Sequence, residues 1–111
     1  MAGREEVDVW SAMLGELSRA SPEGFLDAIE DGRLSDVDTL IVVCLHAIDH
    51  PRATAILTRA VGCRDWLVRY HAVRALAGRD SDEARAALVR ALDDPKEMIR
   101  AEARRAMRRT R

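Results

Sequence analysis

Apolar residues recur at helical spacing in short blocks, and capping residues separate the blocks, so the pattern predicts seven helices. The first runs from about Val7 to Arg19, with Val9, Trp10, Met13, Leu14 and Leu17 on one face. Ser21-Pro22-Glu23 then supplies an N-cap, a proline at the first helical position and an acid in the first turn, opening a short helix with Phe25, Leu26 and Ile29 that stops at Gly32. Ser35 and Asp38 resemble a capping box, and the third helix follows to about Asp49. It is apolar almost all round from Leu40 to Ile48, a pattern that predicts packing on several sides at the centre of the molecule. Pro51 opens the fourth helix, Arg52 to Val61, and the fifth covers about Asp65 to Ala77; Gly62 and Gly78 are placed to end them in left-handed caps. Ser81 caps the sixth, which runs to about Leu92, and Asp94-Pro95-Lys96-Glu97 caps the seventh, with Glu97 completing the box. The short links predict helices that double back on their neighbours, and no stretch alternates for long enough to predict strands.

From residue 53 the chain repeats at an interval of 31 residues. Ala53, Ala55, Leu57, Arg59 and Ala60 fall on Ala84, Ala86, Leu88, Arg90 and Ala91; Arg69, Ala72, Arg74 and Ala75 fall on Arg100, Ala103, Arg105 and Ala106. Apolar residues exchange at Val61/Leu92, Val68/Ile99 and Leu76/Met107. A weaker copy extends backwards, aligning Leu26 with Leu57, Ile41 with Ala72, Cys44 with Ala75 and Leu45 with Leu76. One helical hairpin cannot bury its apolar stripe alone, so consecutive hairpins must stack. The organisation expected is one domain over 1–111: a capping helix at 1–20, a divergent repeat at 21–50, a repeat at 51–80 and a C-terminal repeat at 81–111.

Composition supports helices packed through small residues, with aromatics at only 4%. The longest apolar run, Leu40 to Leu45, is too short to span a bilayer, and the first residues lack a signal-type apolar stretch, so no membrane association and a cytoplasmic location are expected. The Arg- and Ala-rich, Lys-poor composition suggests a bacterial protein. Two cysteines, Cys44 and Cys63, suit reduced thiols in or near a core. Charge is divided: residues 1–38 carry three basic and ten acidic side chains, a net of −7, and the remainder 15 basic and nine acidic, a net of +6. Such a dipole suits steering of a polar partner or head-to-tail self-association; polar caps of a stack would give it too.

Asp65-Trp66-Leu67-Val68-Arg69, followed by Ala72 and Ala75-Leu76, resembles the second-helix signature of HEAT-like repeats, Asp-x-x-Val-Arg-x-x-Ala-x-x-Ala-Leu, in particular the short form of phycobilisome-lyase-type repeats. Ile99-Arg100, Ala103 and Ala106-Met107 repeat the pattern with the acid displaced to Asp94, because Lys96 occupies the Asp65 position. The resemblance covers residues 53–109 well and 22–50 poorly. It implies an all-α fold, a short right-handed α-α superhelix of about seven helices, and it does not specify an activity.

In that family the second helix of each pair lines the concave face, which implicates the third, fifth and seventh helices here. Trp66, Tyr70 and Arg74 share one stripe of the fifth, a composition typical of binding hot spots, although Trp66 and Tyr70 can equally pack into the groove between helices. The same register offers Thr39, Val43 and His46 on the third helix, and Glu97, Ala101, Arg105 and Arg108 on the seventh. Asp38 is expected to pair with Arg69 across units, and Asp65 to help neutralise Arg100.

Catalytic constellations are not evident. His46 and His50, four apart beside Asp49, could face a metal together, but nothing completes a ligand set; Cys44 is in an apolar run and Cys63 lacks an evident base. No enzyme activity, no metal and no cofactor are expected. The function expected is a protein-interaction or adaptor module binding another protein. The alternative is nucleic-acid binding through the last helix, where Arg100, Arg104, Arg108 and Arg111 fall along one side, although arginines there also suit the helix macrodipole.

Overall fold

The computed structural model describes residues 20–32 and 39–109, apart from the Leu40 side chain. These residues form six helices and no strand: α1 (Pro22–Glu30), α2 (Thr39–His46), α3 (Pro51–Ala60), α4 (Trp66–Leu76), α5 (Asp82–Ala91) and α6 (Glu97–Arg109). The expected helix from Val7 to Arg19, most of the expected 1–20 cap, and the Ser35–Asp38 box lie outside the described residues.

The starts of the helices follow from local chemistry. Each helix leaves its first backbone N–H groups without intrahelical partners, and a cap supplies an acceptor. The Ser21 Oγ accepts from the Gly24 N–H at 3.2 Å, the Asp65 Oδ1 from the Leu67 N–H at 3.0 Å and the Ser81 Oγ from the Ala84 N–H at 3.1 Å. His50 performs this role for α3, its Nδ1 accepting from the Arg52 N–H at 3.1 Å, while Pro51 fills the first helical position. Ahead of α6, Asp94 Oδ1 accepts from the Lys96 N–H at 2.9 Å. Glu97 does not close the expected box; its carboxylate is drawn instead to Arg100 and Arg104, one and two turns along its own helix.

The ends differ from expectation at two of three glycines. Gly32 does adopt the left-handed conformation, at φ 86°. Gly62 and Gly78 do not. At Gly62 the chain tightens into a final turn in which the Gly62 N–H donates to the Arg59 carbonyl and the Cys63 N–H to the Ala60 carbonyl, each at 3.0 Å. The end of α4 tightens in the same way, with the Arg79 N–H donating to the Leu76 carbonyl at 3.0 Å. Three-residue bonds of this kind satisfy the last carbonyls without a positive φ.

Two layers result. α2, α4 and α6 are neighbours in one layer, and α3 and α5 in the other, joined to α1 through Arg52. The N-terminal end of α4 meets the approach to α6, where Arg69 contacts Asp94, and the C-terminal turns of α4 and α6 share a cleft, so these two helices run in the same direction. Between the layers, Phe25, Leu26, Ile41, Leu45, Ile56, Leu57, Val68, Leu76, Leu88 and Ile99 are buried in a continuous core. Each large aliphatic side chain so buried contributes roughly 1.5–3 kcal/mol. Alanines at 53, 60, 72, 84, 87, 91, 103 and 106 let the helices approach closely.

The third predicted helix is not central on every side. In α2, Ile41, Val42 and Leu45 are buried but Val43 is 45% exposed, and His46 is exposed. α4 occupies the central position among the described residues, touching α2, α3, α5 and α6. The outer side of the last unit is polar where the preceding one is not: buried Thr54 and Val73 correspond to exposed Arg85 and Arg104.

Candidate interaction face and the contacts between units

The layer of α2, α4 and α6 presents the residues singled out from sequence, but not as one uniform stripe. Trp66 is half-buried against the core, with the Lys96 ammonium 4.7 Å from its ring centroid. Tyr70 is half-buried too, and the Arg74 guanidinium carbon stands 5.7 Å from its ring centroid. A cation over an aromatic face contributes on the order of 0.5–1 kcal/mol where it is exposed. His71 meets Tyr70 edge-on at 5.5 Å. Thr39 is half-buried, whereas Val43, His46, Arg74, Arg105 and Arg108 are exposed.

The C-terminal turns of the three helices meet around a cleft of about 480 Å³ lined by His46, Arg74, Ala77, Gly78, Glu102, Arg105 and Arg109. Three of the expected residues, His46, Arg74 and Arg105, thus come together there. Trp66 lies at the opposite end of α4, and Arg108 does not line the cleft. Arg109 and Glu102 were not singled out by the repeat register; basic residues in the last turn of a helix are a signal that could have found Arg109. Glu102 accepts from Arg105 at 2.7 Å and its side chain is only 13% exposed. Partial desolvation of its ring, followed by the Arg74 and then the Arg79 guanidinium, holds the His46 imidazole below the usual histidine range even though the residue is exposed overall. His71 is lowered by burial first, then by Arg74 and His46.

Contacts between successive units are carried by arginines. Arg69 grips Asp94 with two donors, Nε to Oδ2 at 2.8 Å and Nη2 to Oδ1 at 3.3 Å, and its Nη1 donates to the carbonyls of Cys63 and Arg64. This pair is inside the protein, with Arg69 14% and Asp94 5% exposed at the side chain. Asp38, the expected partner of Arg69, lies outside the described residues. Asp65 serves as the cap of α4, while Arg100 bonds the Glu97 carboxylate and the Asp94 carbonyl, and among the described residues no ion pair joins Asp65 to Arg100.

Arg79 spans three elements. Its Nη2 donates to the Leu45 and Ile48 carbonyls at the end of α2, each at 2.7 Å, and its Nη1 to the Thr54 Oγ1 on α3 at 3.1 Å. Burial lowers its pKa, partly offset by Asp49, and its Nε is buried without a hydrogen-bond partner among the described residues. A larger cleft of about 670 Å³ opens beside it, lined by His46, Asp49, His50, Thr54, Arg79 and Asp80 among others. Within this cleft the Arg79 Nη1 and Nη2 donors are committed to the Thr54 hydroxyl and to protein carbonyls.

Of the arginine stripe expected on α6, Arg100 and Arg104 both pair with Glu97, at 2.7 and 2.6 Å, and Arg111 lies outside the described residues. Among the described residues no group of three His, Cys, Asp or Glu side chains is arranged to hold a metal ion; His46 and His50 are the pair nearest to that chemistry in sequence. Likewise, among the described residues, no helix is long and apolar enough to cross a membrane.

Stacked antiparallel helix pairs with one continuous core define an all-helical repeat protein of the α-solenoid class. The chain matches the family of HEAT repeats over residues 22–108 and belongs to it. No curated protein and no solved structure matches the chain. HEAT repeats generally form non-catalytic scaffolds and commonly mediate protein–protein interaction.

Proposed function

We propose that this chain is a non-catalytic adaptor that binds another protein on the face formed by α2, α4 and α6. The observation that carries the reading is the convergence of three helix ends on a cleft with exposed Arg74, Arg105 and Arg109 and with Val43 exposed on α2. Arginine and aromatic residues around an open cleft favour recognition, and the half-buried Tyr70 beneath Arg74 gives that arginine a fixed platform. Nucleic-acid binding along α6 is the weaker alternative, because Glu97 neutralises two arginines of the stripe that phosphate tracking needs.

A photo-crosslinking residue placed at Val43 or Arg74, and at Ala86 on α5 as a control, tests this in extracts of the native host. Adducts with one protein from the first two positions and none from Ala86 are expected. Adducts from Ala86 alone would put the interface on the other layer and contradict the proposal.

A further inference from the structure

The charged groups lining the cleft are three arginines and one glutamate. The glutamate, Glu102, is largely buried and already held by Arg105, whose side chain remains 56% exposed. Neither Arg74 nor Arg109 forms an ion pair among the described residues. The solvent-facing rim is therefore cationic. Each helix end adds about half a negative charge that fades within the last turn, and the end of α2 is already covered by Arg79. Three arginines exceed that offset. Burial first, and then Arg74, lower the His46 and His71 pKa values, and the Arg74 part agrees with a positive local potential. Apolar surface lies on the same layer at Val43 and Tyr70.

We infer that this cleft receives a carboxylate-rich segment of a partner protein, held by Arg74, Arg105 and Arg109. The inference rests on the proposed interaction face and adds the chemistry of its occupant. A guanidinium matches a carboxylate through two parallel N–H donors, so a segment carrying several Asp or Glu residues beside an apolar side chain complements both the charge and the apolar surface. A phosphate backbone suits it less well, because the arginines form a compact cluster and the neighbouring Arg100 and Arg104 are already spent on Glu97.

Fluorescence anisotropy with the full chain tests the assignment, using a labelled amphipathic Glu/Leu peptide of about 15 residues. The probes for comparison are the same peptide with Lys in place of Glu and a short DNA duplex. At low ionic strength the Glu peptide should bind at least about tenfold more tightly than the Lys peptide, and should weaken as salt is raised. The triple variant Arg74→Gln/Arg105→Gln/Arg109→Gln should lose about tenfold in affinity, whereas the triple lysine variant retains most of it. Arg85→Gln, on α5 away from the cleft, should bind as wild type. If the triple glutamine variant fails to melt cooperatively, Arg74→Gln alone, which breaks no ion pair, should still weaken binding about threefold. Equal affinity for the Glu and Lys peptides, glutamine variants that bind as wild type, or a duplex bound more tightly than the Glu peptide would overturn the inference. Self-association of the chain in place of peptide capture would overturn it as well. Loss of discrimination between peptides while crosslinks at Val43 persist refutes the charge assignment alone, whereas loss of those crosslinks refutes the interaction face too.

Discussion

The junction between α1 and α3 and the junction between α4 and α6 both use an arginine gripping acids, yet they sit in different surroundings. At the first, Arg52 reaches Asp27 and Glu30 on the open surface, where the three side chains are 33%, 58% and 41% exposed. At the second, Arg69 and Asp94 are almost wholly enclosed, and the remaining Arg69 donors satisfy two backbone carbonyls. Water and salt screen the exposed cluster, so its removal leaves nothing stranded. An enclosed pair behaves otherwise: its formation repays a large desolvation penalty, and removing one partner orphans the other inside the protein. The lesson is that equivalent-looking charge pairs divide their labour. The enclosed one joins α4 to the approach to α6, whereas the exposed one joins α1 to α3 at the surface.

The largest expected effect follows from breaking the enclosed pair on one side only. Asp94→Ala should lower stability in chemical denaturation by about 3 to 5 kcal/mol, because Arg69 is left uncompensated. Replacing both partners, as Arg69→Met/Asp94→Leu, should be milder than Asp94→Ala alone; a double variant less stable than the single one would mean that the enclosed pair does not differ from the exposed one in this way. Next in size is Arg79→Met, which removes the Arg79 bonds to the Ile48 carbonyl and the Thr54 hydroxyl, and one of the two bonds at the Leu45 carbonyl, and should cost about 1 to 3 kcal/mol in the same measurement.

Arg52→Ala should leave the thermal midpoint within experimental error, while NMR titration reports the local change. Arg52 holds the Glu30 carboxyl below 4.5, chiefly by hydrogen bonding, so the variant should return its midpoint toward that value. The sign is that of a depressed acid: the contribution is present above pH 4.5 and disappears as pH falls through the folded midpoint. The smallest effect belongs to the histidines. His46 and His71 should titrate below 6.5, and Arg74→Gln should raise both midpoints. Because the unfolded chain takes up these protons first, their contribution is complete above pH 6.5 and declines as pH falls through the folded midpoints.

Helices and most of their starts were legible because capping is local: Ser21, Pro51 and Ser81 act where their sequence neighbours say they should, whereas Asp65, expected inside the fifth helix, caps it instead. Endings at Gly62 and Gly78 were less so, since a tightened final turn needs no glycine and leaves no distinctive signature. Repeat register found the stacking of α4 on α6 and three residues of the cleft. It did not find Asp94 as the partner of Arg69, because Asp94 aligns with Cys63 in the preceding unit and so carries no periodic signal. Arg79 escaped for the same reason: it aligns with Ile48, and its bonds are to backbone carbonyls, which no side-chain pattern encodes. Trp66 packs against the core and meets Lys96, a residue of the following unit, a contact between units that the spacing within α4 does not encode.

A double-mutant cycle at Arg69 and Asp94, read by denaturant unfolding, tests most directly whether an enclosed charge pair locks α4 to the approach of α6. A coupling of about 2 kcal/mol is expected. Additive losses, with coupling below about 0.5 kcal/mol, would mean that the two residues stabilise the stack independently and would contradict the account.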